Sequence, residues 1–93
     1  MDFEWDPTKA DSNLRKHDVA FAKAAQVLSD PALVEMPDPY DEREEDRWIA
    51  IGRVEPYILV VVFTYRSGKI RLISARKAER YERRIYWNDY LPS

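Results

Sequence analysis

Apolar positions change their spacing at Pro31, and that change divides the chain into two textures. Before it the spacing is helical. Phe3 to Trp5 is a short aromatic stretch suited to a strand, and Asp6-Pro7 then supplies a helix start, with Asp as N-cap and Pro where the missing N–H is not needed. A helix of about three turns is expected to reach Lys16, with Ala10, Leu14 and either Asn13 or His17 facing inward. Phe21, Ala24, Ala25 and Leu28 repeat the spacing of one helical face, and Asp30-Pro31 ends it. Beyond Pro31 the apolar runs are short. Leu33 to Met36 fits an edge strand, and Arg47 to Val54 alternates Trp48, Ala50 and Gly52 against Ile49 and Ile51. Ile58 to Phe63 is an unbroken, largely β-branched run, as in a central strand covered on both faces. Ser67-Gly68 marks a hairpin turn into Ile70 to Ser74. From Arg76 to about Asn88 the pattern is helical again, with Ala78, Tyr81 and Ile85 inward. The expected fold is α+β, with two N-terminal helices, a central antiparallel sheet of about four strands and a C-terminal helix. At 93 residues this is one domain, 1–93, with one small core.

Composition narrows the chemistry. The absence of Cys excludes disulfides, thiolate catalysis and Cys-ligated metal. The N-terminus carries acids where a signal peptide needs bases, and no apolar run approaches a membrane span, so a cytoplasmic protein is expected. The formal net charge of -2 conceals an asymmetry. Glu35, Asp38, Asp41, Glu42, Glu44, Glu45 and Asp46 face one base, Arg43, whereas the chain from Thr64 onward carries eight bases against three acids.

The strongest candidate for chemistry is the basic C-terminal segment. On a helix, Arg76, Arg80, Arg83 or Arg84, and Trp87 share one face, a footprint suited to phosphates and bases because guanidinium forks donate to phosphate oxygens and stack on rings. The competing account is a solvated face with pairs such as Glu79 to Arg83. Arg71 and Arg76 gain precision if a strand ladder holds them, with Arg47, Arg53 and Arg66 in a weaker class. His17, the only histidine, suits a general base near neutral pH, although a helix C-terminus favours histidine for capping alone. One histidine argues against a nitrogen-ligated metal, and the acids from Asp38 to Asp46 lack the spacing of a calcium loop. No cofactor motif is present.

In order along the chain, Phe3-Glu4-Trp5-Asp6-Pro7, Lys9-Ala10, Asn13, Lys16-His17, Phe21, Ala24, Asp30-Pro31, Glu45, Arg47, Ile51-Gly52, Ile70-Arg71, Ile73 to Ala78, Glu82-Arg83 and Tyr86 closely resemble the BrnT toxin family. The resemblance covers almost the whole chain. It implies a RelE-like fold, a translation-inhibiting ribonuclease acting on mRNA, with or without the ribosome, and a BrnA-like antitoxin with a ribbon-helix-helix part. It further implies a heterotetramer with that antitoxin, which would carry the toxin to promoter DNA. The family commonly has Gly after Lys-His and a Ser opening a capping box; here Asp18, Ala20 and Lys23 stand there, and Asp18 is the candidate replacement cap.

On this basis Arg71 and Arg76 are expected to stabilise the scissile phosphate during metal-independent 2′-hydroxyl attack, with His17 or Glu79 as base. Lys77, Arg80, Arg83 and Arg84 are expected to hold flanking RNA, and Tyr86 or Trp87 to stack a base. The alternative is a module that binds antitoxin and DNA without nuclease activity.

Overall fold

A computed structural model describes residues 2–39 and 46–88. Its elements are β1 (Phe3–Glu4), α1 (Pro7–His17), α2 (Phe21–Ala24) running on into a 3-10 turn (Ala25–Ser29), β2 (Val34–Pro37), β3 (Arg47–Val54), β4 (Tyr57–Arg66), β5 (Lys69–Lys77) and α3 (Arg80–Trp87). They form an α+β fold around a five-stranded mixed sheet in the order β1-β5-β4-β3-β2. Sequence patterning foresaw about four antiparallel strands; the fifth is β1, which pairs parallel to β5 through Phe3 beside Ile70 and Glu4 beside Arg71. The stretch from Tyr40 to Glu45, most of the acidic loop, lies outside the described residues.

The sheet carries a core on each face. Leu59, Val61 and Phe63 of β4 meet α1, α2 and the 3-10 turn, while Val60 on the opposite face joins Ile51, Ala78 and Tyr86. This double burial is what the continuous apolar run of β4 encodes. Ser67 and Gly68 both have positive φ, 52° and 76°, as a two-residue type I′ hairpin requires. Farther along, Phe63 pairs with Leu72 but Val62 pairs with Ser74, so Ile73 is an inserted residue and β5 bulges there.

α1 begins as expected: the Asp6 carboxylate accepts from the Thr8 amide at 2.8 Å and Pro7 opens the first turn. Its inward face differs from the expected one. Asn13 is buried whereas Leu14 is 46% exposed. The cause lies at the edge of β5, which β1 covers only as far as Arg71. Beyond that point the Asn13 side chain takes the place of a strand: its Nδ2 donates to Ala75 O at 2.9 Å and its Oδ1 accepts from Ala75 N at 3.0 Å. Nδ2 also donates to Val19 O at 3.0 Å, which ties down the α1–α2 connection. One amide thus satisfies a backbone donor and two acceptors that burial would otherwise leave without partners.

Asp18 does not cap α2. It adopts the left-handed conformation (φ 57°) that ends α1, its amide donating to Leu14 O at 2.9 Å, and Ala20 precedes α2 with no side-chain cap. α2 then tightens into the 3-10 turn, which buries Phe21, Ala24 and Val27, while Ala25 and Leu28 are only partly buried. Val27 packs directly over Gly52: a Cβ there would sit 2.7 Å from Val27 Cγ1, so this close approach excludes any side chain.

The C-terminal segment departs most from expectation. Arg76 is not helical: β5 continues to Lys77, with Arg76 in register with Val60, and α3 begins only at Arg80. Arg76 instead donates to both carboxylate oxygens of Glu82, at 2.6 and 2.8 Å. Glu82 also accepts from the Glu79 amide at 2.9 Å and closes a capping box with Glu79 as the N-cap of α3. Glu82 and Tyr86, four residues apart, therefore form the buried face of α3, and Tyr81 is 57% exposed. A second tether comes from Tyr86, whose hydroxyl donates to Asp30 at 2.5 Å; Asp30 also accepts from the amides of Ala32 and Arg53. Burial works to raise the Glu82 carboxyl, but the Arg76 guanidinium and the Glu79 amide hold it below its ordinary value of 4.5.

Two stability measurements test these contacts. Asn13→Leu keeps the branching of the side chain but strands the Ala75 N–H and C=O, and chemical denaturation should show a loss of about 1–3 kcal/mol for each group left unpaired; an unchanged midpoint would refute the strand-surrogate role. Arg76→Ala should cost about 2–3 kcal/mol at pH 7, less than a fully buried pair because the Arg76 side chain is 37% exposed. The folded-state pKa of Glu82 lies below its unfolded value, so the stability it contributes is present above pH 4.5 and lost as pH falls through the folded value. The gap between wild type and Arg76→Ala should accordingly close on acidification. A constant gap from pH 7 to acid would show that the pair is not its source.

Candidate nucleic-acid interface

Where the β3–β4 turn meets the end of β5 and the start of α3, the chain gathers cations around exposed rings. Arg53, Tyr57, Lys77, Arg83 and Trp87 line a cleft of about 380 Å³. The register explains the assembly: Val54 pairs with Tyr57 across the turn and Leu59 with Lys77, so the turn and the strand end lie side by side. Lys77 Nζ stands 4.5 Å from the centre of the Tyr57 ring, and Lys23 Nζ approaches the same ring at 5.6 Å. The Arg53 guanidinium lies 5.6 Å from the centre of the Trp87 ring, and also pairs with Glu55. The Arg83 guanidinium donates to Ala78 O at 2.9 Å, which holds its head against the strand–helix junction. Tyr57 is 40% exposed and Trp87 51%.

Two neighbouring depressions extend the cleft. One, of about 390 Å³, is lined by Arg80, Arg83, Arg84 and Trp87. The other, of about 880 Å³, shares Arg53 and Glu55 with the cleft and reaches Lys23, Gln26 and Asp30. Burial and the Asp30 carboxylate push the phenol of Tyr86, which Asp30 holds, up to about 12, so its hydroxyl stays a donor. Partial burial works to raise the Asp30 carboxyl, but the Tyr86 hydroxyl and two backbone amides hold it below its ordinary value. Exposed rings beside cationic side chains suit a single-stranded nucleic acid, whose bases stack while its phosphates are neutralised.

The residues singled out from sequence fall into two groups. Lys77, Arg83 and Trp87 meet in the cleft, and Arg80 and Arg84 border it. Tyr86 does not: its ring is buried and its hydroxyl is held by Asp30, which leaves Trp87 as the stacking residue of the two. The four residues considered for catalysis are dispersed. Arg76 is turned toward Glu82, and Glu79 caps α3. Arg71 lies earlier on β5, its guanidinium 3.8 Å from the Glu4 carboxylate, in a row across the sheet in which it pairs with Thr64 and Thr64 with Arg47. His17 is exposed at the end of α1, in a separate pocket with Lys9, Ser12, Lys16 and Ser74.

Tyr57 and Lys23 were not foreseen as parts of this surface. The available signal for Tyr57 was an aromatic directly after the Glu55-Pro56 break, where a strand emerges at the sheet's end. Lys23 gave none, because only the tertiary fold brings α2 beside that turn.

Among the described residues no helix is long and apolar enough to cross a membrane. No curated protein matches the chain. The model of a family described as "Ribonuclease toxin, BrnT, of type II toxin-antitoxin system" matches residues 5–82, which span β3, β4, β5 and the buried turn of α3 that carries Glu82. Arg83, Arg84 and Trp87 of the cleft lie just past that match. The match takes in most of the chain, which therefore belongs to the BrnT family of ribonuclease toxins of type II toxin–antitoxin systems.

Proposed function

We propose that this toxin is a RelE-like endoribonuclease that cleaves mRNA and so inhibits translation, holding single-stranded RNA in the cleft of Arg53, Tyr57, Lys77, Arg83 and Trp87. The observation that carries this reading is the pairing of cations with exposed rings, Lys77 beside Tyr57 and Arg53 beside Trp87. Family membership supplies the activity class. RNA brings its own nucleophile: the 2′-oxygen attacks the adjacent phosphorus, the bond to the 5′-oxygen breaks, and the 2′-proton passes to a base. What the protein must add is in-line positioning and positive charge for the pentacoordinate phosphate, which Arg and Lys provide without a metal. Arg71 is the cation proposed for that role, since its backbone is held by a strand ladder and its guanidinium stands 3.8 Å from the Glu4 carboxylate. Arg76 reaches the phosphate only by giving up Glu82. His17 is the better placed of the two bases, because the Glu79 carboxylate belongs to the cap of α3.

A type II system pairs its toxin with a protein antitoxin. A BrnA-like ribbon-helix-helix antitoxin is the fitting partner, in a cytoplasmic heterotetramer that reaches promoter DNA through the antitoxin. One observation favours the second reading, a binding module without nuclease activity: the four candidate catalytic residues do not converge.

Purified protein separates the two readings. Wild type should cut mRNA and lower protein synthesis in a cell-free translation system, and Arg71→Ala should reduce cleavage by about 10²–10³-fold. Trp87→Ala should weaken binding of single-stranded RNA by the equivalent of about 1–3 kcal/mol, roughly 5- to 150-fold. If wild type cuts no RNA, with or without ribosomes, yet still binds its antitoxin, the module reading replaces the enzyme.

A further inference from the structure

The pocket between α1 and the β5 bulge is built from residues that the stability of the fold does not call for. Its walls are Lys9, Ser12, Asn13, Lys16, His17, Ile73 and Ser74, enclosing about 220 Å³. Asn13 is accounted for by its bonds to Ala75 and Val19. The others are not. Lys9 is the third residue of α1, in a first turn that has no acid, where the positive end of the helix dipole repels a cation. Ser12 stands in the helix interior, where serine is a poor helix former. Lys16 and His17 fit a helix C-terminus, but none of Lys9, Lys16 and His17 has an ion-pair partner among the described residues. On the facing strand the inserted Ile73 interrupts the ladder just before Ser74, the kind of irregularity that re-aims a side chain. Local costs on two separate elements therefore meet at one small cavity ringed by three basic groups and two hydroxyls.

That cavity and the cleft are both reached from β5. Ser74 and Lys77 are on the same strand, and three strand residues span about 10 Å. This is about three steps of a stacked nucleotide strand at 3.4 Å each. Among the described residues no further strand pairs with this edge of β5 beyond Arg71, where α1 lies alongside and the Asn13 amide bonds to Ala75.

From this we infer a phosphate-binding site: Lys9 and Lys16, with the Ser12 and Ser74 hydroxyls, hold beside His17 a backbone phosphate of the same RNA chain whose neighbouring nucleotides occupy the cleft. The inference rests on the RNA reading above and adds to it a second anchor on the far side of Asn13. A chain fixed at both ends of this edge has its path set along β5, which positions it more narrowly than the cleft alone.

Two experiments on the purified full chain test it. In the first, amide resonances are followed during titration with inorganic phosphate, against sodium chloride of equal ionic strength. The amides of Ser12, His17 and Ser74 should shift saturably with phosphate and not with chloride, and the response should vanish in Lys9→Ala/Lys16→Ala. Equal shifts with both salts, or shifts spread over every basic residue, would overturn the site. In the second, binding of a 2′-O-methyl single-stranded RNA, which lacks the nucleophile, is measured against salt concentration. Losing one phosphate contact should lower the slope of log K against log[salt] by about 0.7, and losing two by about 1.4. The α1 double variant should show that loss with its thermal midpoint near that of wild type, because removing Lys9 relieves the helix dipole while removing Lys16 gives up a favourable charge. If Lys77→Ala/Arg83→Ala weakens binding while Lys9→Ala/Lys16→Ala does not, the pocket fails and the cleft stands. If wild type binds no RNA, the RNA reading and the site fall together, whatever phosphate does.

Discussion

The contact between Arg76 and Glu82 determines how the C-terminal third of the molecule is assembled. Arg76 belongs to the last turns of the ladder, and Glu82 to the first turn of α3. Their bidentate bond, at 2.6 and 2.8 Å, fixes the strand-to-helix corner within six residues. A buried carboxylate is costly unless it is paired and hydrogen-bonded, and here Arg76 and the Glu79 amide share that duty. Once Glu82 faces inward, helical geometry turns Tyr86 inward one turn later and leaves Arg80, Tyr81, Arg84 and Trp87 outside. The outward face of α3, and with it the cleft, follows from an ion pair that never touches the cleft.

Asp30 supplies the complementary constraint from the other end of α3. Its carboxylate gathers the Tyr86 hydroxyl, the Arg53 amide and the Ala32 amide, and so links α3, β3 and the close of the 3-10 turn. Gly52 makes this possible by letting Val27 approach the strand. Arg53 follows in the chain, and its guanidinium reaches the Trp87 ring. Core packing at Gly52 and the surface array at Arg53 are thus adjacent consequences of one close approach. Asn13 has the corresponding role at the edge of β5, where it lets α1 lie beside a strand that no other strand covers.

The pattern of apolar residues revealed the helices, the central position of β4, the alternation of β3 and the Ser67-Gly68 hairpin, because each rests on local periodicity or turn chemistry. β1 was legible as a short aromatic strand but not in its pairing; two residues carry no period, and the parallel partner lies 67 positions away. The bonds made by Asn13, Glu82 and Asp30 went unread through a shared error: each residue was judged by its own element, whereas its partners are distant in sequence or take part in a strand where a helix was expected. The same error moved Arg76 onto a helical face and placed Tyr86 among the stacking residues. Lys77, Arg83 and Trp87 were legible by charge and order, whereas Tyr57 and Lys23 join them only through the register of β3 with β4 and the placement of α2.

The site that emerges is a basic and aromatic surface around the end of the sheet, supported from beneath by Glu82 and Asp30. The cations proposed for catalysis and for holding RNA are separated on it: Arg71 lies in a row across the sheet with Thr64 and Arg47, and the rings lie where the β3–β4 turn meets α3. A bound strand must therefore travel along β5 for both to act on one substrate. The structure of this protein with a non-cleavable 2′-O-methyl single-stranded RNA tests that arrangement most directly. It should show a base stacked on Trp87 or Tyr57, with phosphates in hydrogen-bonding reach of Lys77 and Arg83. RNA lying across the open sheet around Thr64, with the cleft empty, would contradict it.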